Sequence, residues 1–359
     1  MNASKRQSNF EWLRILAMGM IITLHYFFKG GITAMPLQKF TSDSVVAWLI
    51  VSACLCAVNV YVLISGYFLV DAEFKAGRLT GLLIQVLEYG LIVLAVMFAA
   101  GLAAPSELSL YDVFGYVFPI GTEEYWFVTA YFMTYLLAPV LSKGARVLDQ
   151  KTLGLVLGGL ILFECIEKSV LPFLLPGDKY GYDVIWFMTL FLTAAYVRLY
   201  GIPFLEDHVL ASVALYAGSA ALTFAIGLGC SYAGEALGSG VLTHYADVTS
   251  HYNFALVFAA SVGLFYVFKN LRFNEDGLPA RAARMLGHLT LGVYLLHEHP
   301  AVRDRWPNWL EVRADRTTGR MLIHWLGCLV VIYAAGLLAE YLRNYVHGLV
   351  AKAGSLHKK

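Results

Sequence analysis

The run EWLRILAMGMIITLHYF, residues 11–27, sets an acid, a guanidinium and an imidazole into an otherwise apolar stretch: Glu11, Arg14 and His25. Each type carries a definite chemistry. Imidazole exchanges protons near neutral pH and can take one from an attacking hydroxyl. A guanidinium holds phosphate through paired donors, and a carboxylate three residues ahead of it on a helix can pair with it. Eleven helical steps bring His25 round to nearly the face of Arg14, about 16 Å further along the axis, with Glu11 on the same side. An ionisable side chain inside a bilayer costs a few kcal/mol and ordinarily faces a cavity or a partner, so the stripe is expected to point inward. The other reading of the same residues is that Arg14 snorkels to the inner head groups while His25 hydrogen-bonds a neighbouring helix.

Two other groups of residues invite chemistry. His297, Glu298 and His299 are of zinc-ligand type, but residues two apart on a helix point different ways and no third partner stands at a ligand spacing, so no metal is expected. Glu88, Glu164 and Glu167, the last followed by Lys168, lie in apolar segments and suit cavity lining or ion pairing. They are the basis of a rival reading, a proton-coupled transporter or glycan exporter. Against it, no pair of short, Gly- or Pro-broken helices recurs in matching halves of the chain.

The elements that must position these residues are helices in a membrane. Hydrophobic residues make up 59% of the 359 and charged residues 14%, a balance that a soluble domain rarely reaches. The net charge of +1 gives no sign of nucleic-acid binding, and an aromatic content of 14% suits belts at two interfaces. Ten apolar windows of about spanning length appear, at 10–28, 45–70, 79–104, 124–141, 152–171, 182–200, 208–230, 252–269, 284–299 and 321–345. No soluble domain fits between them, so residues 1–359 read as one all-α, polytopic, multi-pass domain. The first window lacks a following small-residue cleavage site and is expected to remain as a span.

Most Lys and Arg residues fall in alternate connections beginning with the N-terminal segment, among them Lys5, Arg6, Lys75, Arg78, Lys358 and Lys359, which predicts cytoplasmic N- and C-termini. The exception is the last outer loop, where Arg303, Arg305, Arg313, Arg316 and Arg320 mix with Glu298, Asp304, Glu311 and Asp315. That loop reads either as a solvated set of paired charges or as a surface for an anionic glycan or head group. Cys54, Cys56, Cys165, Cys230 and Cys328 have no metal or disulfide spacing and read as core fillers.

Glu11, Arg14, Ala17 and His25 together resemble the first-helix pattern of the acyltransferase 3 family of integral membrane acyltransferases, an acid, Arg three residues on, and His eleven after that. NVYVLISGYFL at 59–69 is similar to the family's second-helix signature ending in Ser-Gly, here Ser65 and Gly66. YWFVTAYFMTYLLAPVL at 125–141 resembles its Trp-Phe…Tyr…Pro helix, and LGVYLLHEHP at 291–300 its late Gly-x-Tyr-Leu-x-His segment. The basic pair that many relatives carry after the second helix is represented here by Lys75 and Arg78 alone.

The resemblance implies transfer of an acyl group, commonly acetyl, from acyl-CoA to a hydroxyl on a cell-surface or exported glycan or another small acceptor, at the cell membrane of a bacterium. His25 would then be the general base, with an acyl-histidine intermediate as a variant, and Arg14, paired with Glu11, would engage the CoA phosphates with help from Lys75 and Arg78. Ser65, Trp126, Tyr131 and His297 would lie near the substrates. Bland alternatives stand beside these roles: an inner-face anchor for the Lys75–Arg78 pair, close helix packing for Ser-Gly, interface anchoring for Trp126, and a structural histidine for His297.

Overall fold

The computed structural model describes residues 7–356 apart from Asp315, and no strand occurs among the described residues. Lys5, Arg6, Lys358 and Lys359, which enter the expected orientation, and Asp315 of the outer loop lie outside them. In chain order the helices are α1 (Ser8–Lys29), α2 (Ser42–Cys54), α3 (Ala57–Leu69), α4 (Ala76–Ala99), α5 (Leu110–Val117) and α6 (Trp126–Val147). Next come α7 (Gln150–Ile161), α8 (Glu167–Val170), α9 (Val184–Tyr200), α10 (Val209–Leu237) and α11 (Gly240–Val248). The last five are α12 (Ala255–Asn270), α13 (Leu278–Gly287), α14 (Thr290–His297), α15 (Trp306–Trp309) and α16 (Thr318–Leu356).

Five helical stretches are both long and apolar enough to cross a membrane: α1, the bent pair α2–α3, α4, α10 and α16. The remaining windows also fall on helices, but three windows are not single straight ones. The window 45–70 bends at Leu55 and Cys56, and 152–171 passes from α7 through a π-helical turn at Leu162–Ile166 into α8. The window 284–299 is divided between α13 and α14. The side of α13 that is buried carries Ala280, Ala283 and Gly287, residues small enough to lie close against α1. At the break the Thr290 hydroxyl donates to the Gly287 carbonyl at 2.9 Å, satisfying the acceptor that the ending helix leaves open.

α1 packs against α2, α3, α12, α13, α14 and α16. Gln7, the residue that precedes it, supplies no side-chain cap. Instead the Glu275 carboxylate accepts from the Ser8 N–H at 3.1 Å and the Ser8 hydroxyl at 2.8 Å, and is itself held by Arg284 at 2.5 Å. A carboxylate there meets the free N–H groups and the positive end of the helix dipole. Along the axis, Tyr61 donates to the Arg14 carbonyl at 2.7 Å, Tyr333 to the Ile15 carbonyl at 3.1 Å, and Trp325 Nε1 to Thr23 Oγ1 at 3.2 Å. Buried Asn59 ties α3 to α9 and α12 and to the turn before α12: it donates to the Tyr252 carbonyl and Ser261 Oγ and accepts from Trp186 Nε1 at 3.0 Å. Such a fully satisfied buried network fixes helix register more sharply than apolar contact does.

The acids behind the transporter reading have basic partners where the structure gives a pair. Glu88 meets Arg343 at 2.8 Å and His347 at 2.7 Å, and Glu164 meets Lys168 at 2.9 Å. Buried Glu340 accepts from Arg343, Tyr89 and Gln85, which fastens α4 to α16. The arginine-rich loop is tied largely to other segments. Arg303 donates to the Glu124 carbonyl at 3.0 Å, Arg305 reaches Glu107 at 2.8 Å, Arg313 donates to the Lys29 carbonyl at 3.1 Å, and Arg316 to that of Glu311 at 2.6 Å. The described cysteines are free thiols, and all but Cys230 are buried.

Candidate active site

The polar stripe of α1 faces a cavity of about 880 Å³ enclosed with α3, α4, α6 and α14. Its lining includes Glu11, Arg14, His25, Ser65, Lys75, Arg78, Trp126 and Tyr131, eight of the nine residues singled out from the sequence. From Gln7 to His25 the cavity follows α1 for about 27 Å by helical rise. None of Glu88, Glu164 and Glu167 lines it.

One end of the cavity is cationic. The C-terminal turn of α3 lies beside the start of α1, with Phe10 packed on Tyr67 and Phe68 at ring separations of 5.5 and 5.1 Å. This places the connection to α4, with Lys75 and Arg78, at the Ser8 end. Arg14 is bonded to Glu11, a carboxylate only 1% exposed, and Glu11 presses so closely on Gly287 that a side chain there would collide with it. Arg198 bonds Asp71 at 2.6 Å and the Tyr67 hydroxyl at 3.1 Å, and Asp71 also receives Arg146 at 2.7 Å. Lys75 and Arg78 are exposed and have no ion-pair partner among the described residues. Four fixed cations in the lining, Arg14, Lys75, Arg78 and Arg198, therefore face two carboxylates, Glu11 and Asp71, an excess that favours an anion.

His25 belongs to the other end, in company the sequence did not reveal. Its Nδ1 lies 2.9 Å from Nε2 of His297 and 3.2 Å from Oε1 of Glu298, and Lys29, one turn further along α1, bonds that same Glu298 oxygen. His297 stands behind His25 and outside the cavity lining, with its own Nδ1 2.6 Å from the Val293 carbonyl. The nearby wall is aromatic. Trp126 stacks on Tyr252 at 5.9 Å and meets Tyr182 at 4.3 Å, with Phe127 and Tyr294 beside it. Trp126 thus belongs to a packed ring cluster that lines the cavity.

The Ser-Gly pair divides its roles. Ser65 lines the cavity, while a side chain at Gly66 would stand 3.0 Å from Ala194 Cβ and 3.1 Å from Phe191 Cα, so the glycine allows α3 to approach α9 closely.

Ligand atoms of His25, His297 and Glu298 all lie within 4.8 Å of one another, so these three are where a cation could be held. The third partner that sequence spacing could not supply is His25, from the far end of the chain. Lys29 already supplies a positive charge to the carboxylate and the two imidazoles bond each other, so the cluster is satisfied by its own groups. Lys29 and Glu298 were the residues whose place here went unforeseen. The available signal was the four-residue spacing that puts Lys29 on the His25 face of α1.

Among known protein families, the one whose description is an acyltransferase domain, the acyltransferase 3 family, matches residues 7–340. Comparison with curated proteins and with solved structures gives no match.

Proposed function

The chain belongs to the acyltransferase 3 family and is a membrane acyltransferase, and from that premise we propose that it moves an acyl group, acetyl in the first instance, from acyl-CoA to a hydroxyl of a cell-surface or exported glycan. The observation that supports this reading is the single cavity with an excess of cations at one end and His25 at the other. Arg14 and His25 are separated by about 16 Å of helical rise, comparable to an extended pantetheine arm. Donor phosphates held by Arg14, Lys75 and Arg78 would leave the thioester beside His25.

In the transfer step, His25 takes the proton of the acceptor hydroxyl as its oxygen attacks the thioester carbon. The carbon–sulfur bond breaks, the ester forms, and the proton passes from His25 to the departing CoA sulfur. Ser65 and Tyr131 offer hydroxyl donors to the cavity, and Trp126 offers a ring face on which a sugar or the acyl chain can lie. Glu11 holds the Arg14 guanidinium in place.

We place the protein in the cell membrane of a bacterium with ten crossings and both termini on the cytoplasmic side, so that the cationic end opens where CoA is made and His25 lies toward the outer face. The bias of Lys and Arg residues supports this arrangement. The test is acyl transfer by membrane vesicles holding wild type, His25→Ala or Arg14→Ala, supplied with labelled acetyl-CoA. Wild type is expected to release CoA and label carbohydrate, His25→Ala to do neither, and Arg14→Ala to need more acetyl-CoA. CoA release by His25→Ala at the wild-type rate refutes the base assignment.

A further inference from the structure

We infer that His297 is a positioning residue that decides which nitrogen of His25 carries the proton; this rests on the role proposed above for His25 as base. The inference follows from donors and acceptors. His297 Nδ1 lies 2.6 Å from the Val293 carbonyl, and a carbonyl only accepts, so this nitrogen carries hydrogen. In a neutral ring the other nitrogen, Nε2, is then a bare acceptor. It lies 2.9 Å from His25 Nδ1, which must therefore be the donor. The second group near that nitrogen, Glu298 at 3.2 Å, is also an acceptor while ionised, and Lys29 bonds the same oxygen. Both neighbours thus call for hydrogen on Nδ1 and leave Nε2, on the opposite edge of the His25 ring, with its lone pair.

That arrangement suits a base that works in the cavity His25 lines. With the proton on Nε2 instead, the edge that must receive the hydroxyl proton would be blocked. Once Nε2 has taken a proton, the positive charge of the ring is met by Glu298 across the same short contact. The chain from the Val293 carbonyl through His297 to His25 joins α14 to α1 over 272 residues of sequence.

The test reads the tautomer directly. The full-length protein, ring-labelled with 15N histidine and reconstituted in lipid, is compared with His25→Ala to identify the His25 signals by NMR. Wild type is expected to show hydrogen on Nδ1 and a bare Nε2. His297→Leu, which removes the acceptor, is expected to lose that preference and to lower kcat by on the order of 10²-fold, with KM for acetyl-CoA unchanged. His297→Gln, whose amide oxygen can accept in place of Nε2, is expected to keep the tautomer and to hold kcat within about 10-fold of wild type.

Hydrogen on Nε2 in the wild type, or an unchanged tautomer and kcat in His297→Leu, overturns the inference. Equal losses of kcat in the Leu and Gln variants overturn it too, since a merely structural histidine would behave so. Wild-type CoA release by His25→Ala, alongside the expected tautomer of His25 in the wild-type protein, would remove the base role and leave the positioning of the ring standing.

Discussion

A methyl group added at Gly336, inside α16, has no space to occupy. Its carbon would stand 2.5 Å from Val293 Cα and 2.9 Å from Val293 Cβ. Carbon atoms ordinarily pack at about 3.5–4.0 Å, so in Gly336→Ala α14 must withdraw by about 1 Å. Val293 supplies the carbonyl that holds His297, and His297 ends the same short helix. A retreat of that size away from α1 would stretch the 2.9 Å contact between His297 and His25 to nearly 4 Å, roughly the point at which the hydrogen bond is lost. Misplacement by about 1 Å at a catalytic group costs on the order of 10² in rate. Overpacking destabilises by about 1–3 kcal/mol, while alanine gains about 1 kcal/mol over glycine in a helix, so the net loss is at most about 2 kcal/mol and the protein still folds. The assay is kcat from CoA release in vesicles together with the thermal midpoint in detergent. The control is Gly327→Ala on the same helix, where no atom lies within 4 Å; it is expected to match or slightly exceed wild type in stability at full activity. Wild-type kcat and midpoint in Gly336→Ala would refute the claim that the α14–α16 contact sets the position of His297 against His25.

Two further outcomes follow from the ends of the cavity. Lys75→Ala and Arg78→Ala should each raise KM for acetyl-CoA by up to about 5-fold, the scale of one exposed charge pair, with kcat unchanged; the effect should shrink at high salt, and equal KM values in wild type and both variants would remove these residues from the donor site. Trp126→Ala opens the aromatic wall formed with Tyr182 and Tyr252 and should lower stability by about 3 kcal/mol while raising the use of butyryl-CoA relative to acetyl-CoA; an unchanged preference between the two donors would place the acyl group elsewhere.

The pairing of acids inside the bundle bears on the rival transporter reading. Charges in a membrane interior are expensive and call for partners. Glu88 and Glu164 have them in Arg343, His347 and Lys168, on neighbouring or the same helical segments, and lie away from the large cavity. In sequence these acids look as functional as His25 does, because residue type and apolar surroundings are alike. What separates Glu88 is its neighbour Arg343 on another helix, while Glu164 is paired one turn along its own helical stretch.

The amino-acid sequence by itself determined the all-helical membrane character and the inward stripe of Glu11, Arg14 and His25. Those follow from helix periodicity, which is local: residues three, four or eleven apart share a face wherever the helix happens to sit. Family resemblance added Ser65, Trp126 and Tyr131, and they line the same cavity as the stripe. Only the tertiary structure decided that window 284–299 breaks between Gly287 and Thr290, that small residues at Gly66, Gly292 and Gly336 set the helix spacing, and that Lys29, His297 and Glu298 gather at His25. The reason is that a contact between α1 and α14 depends on how close every intervening helix allows the two to come. That distance is a property of the packed bundle, and no spacing within either segment encodes it.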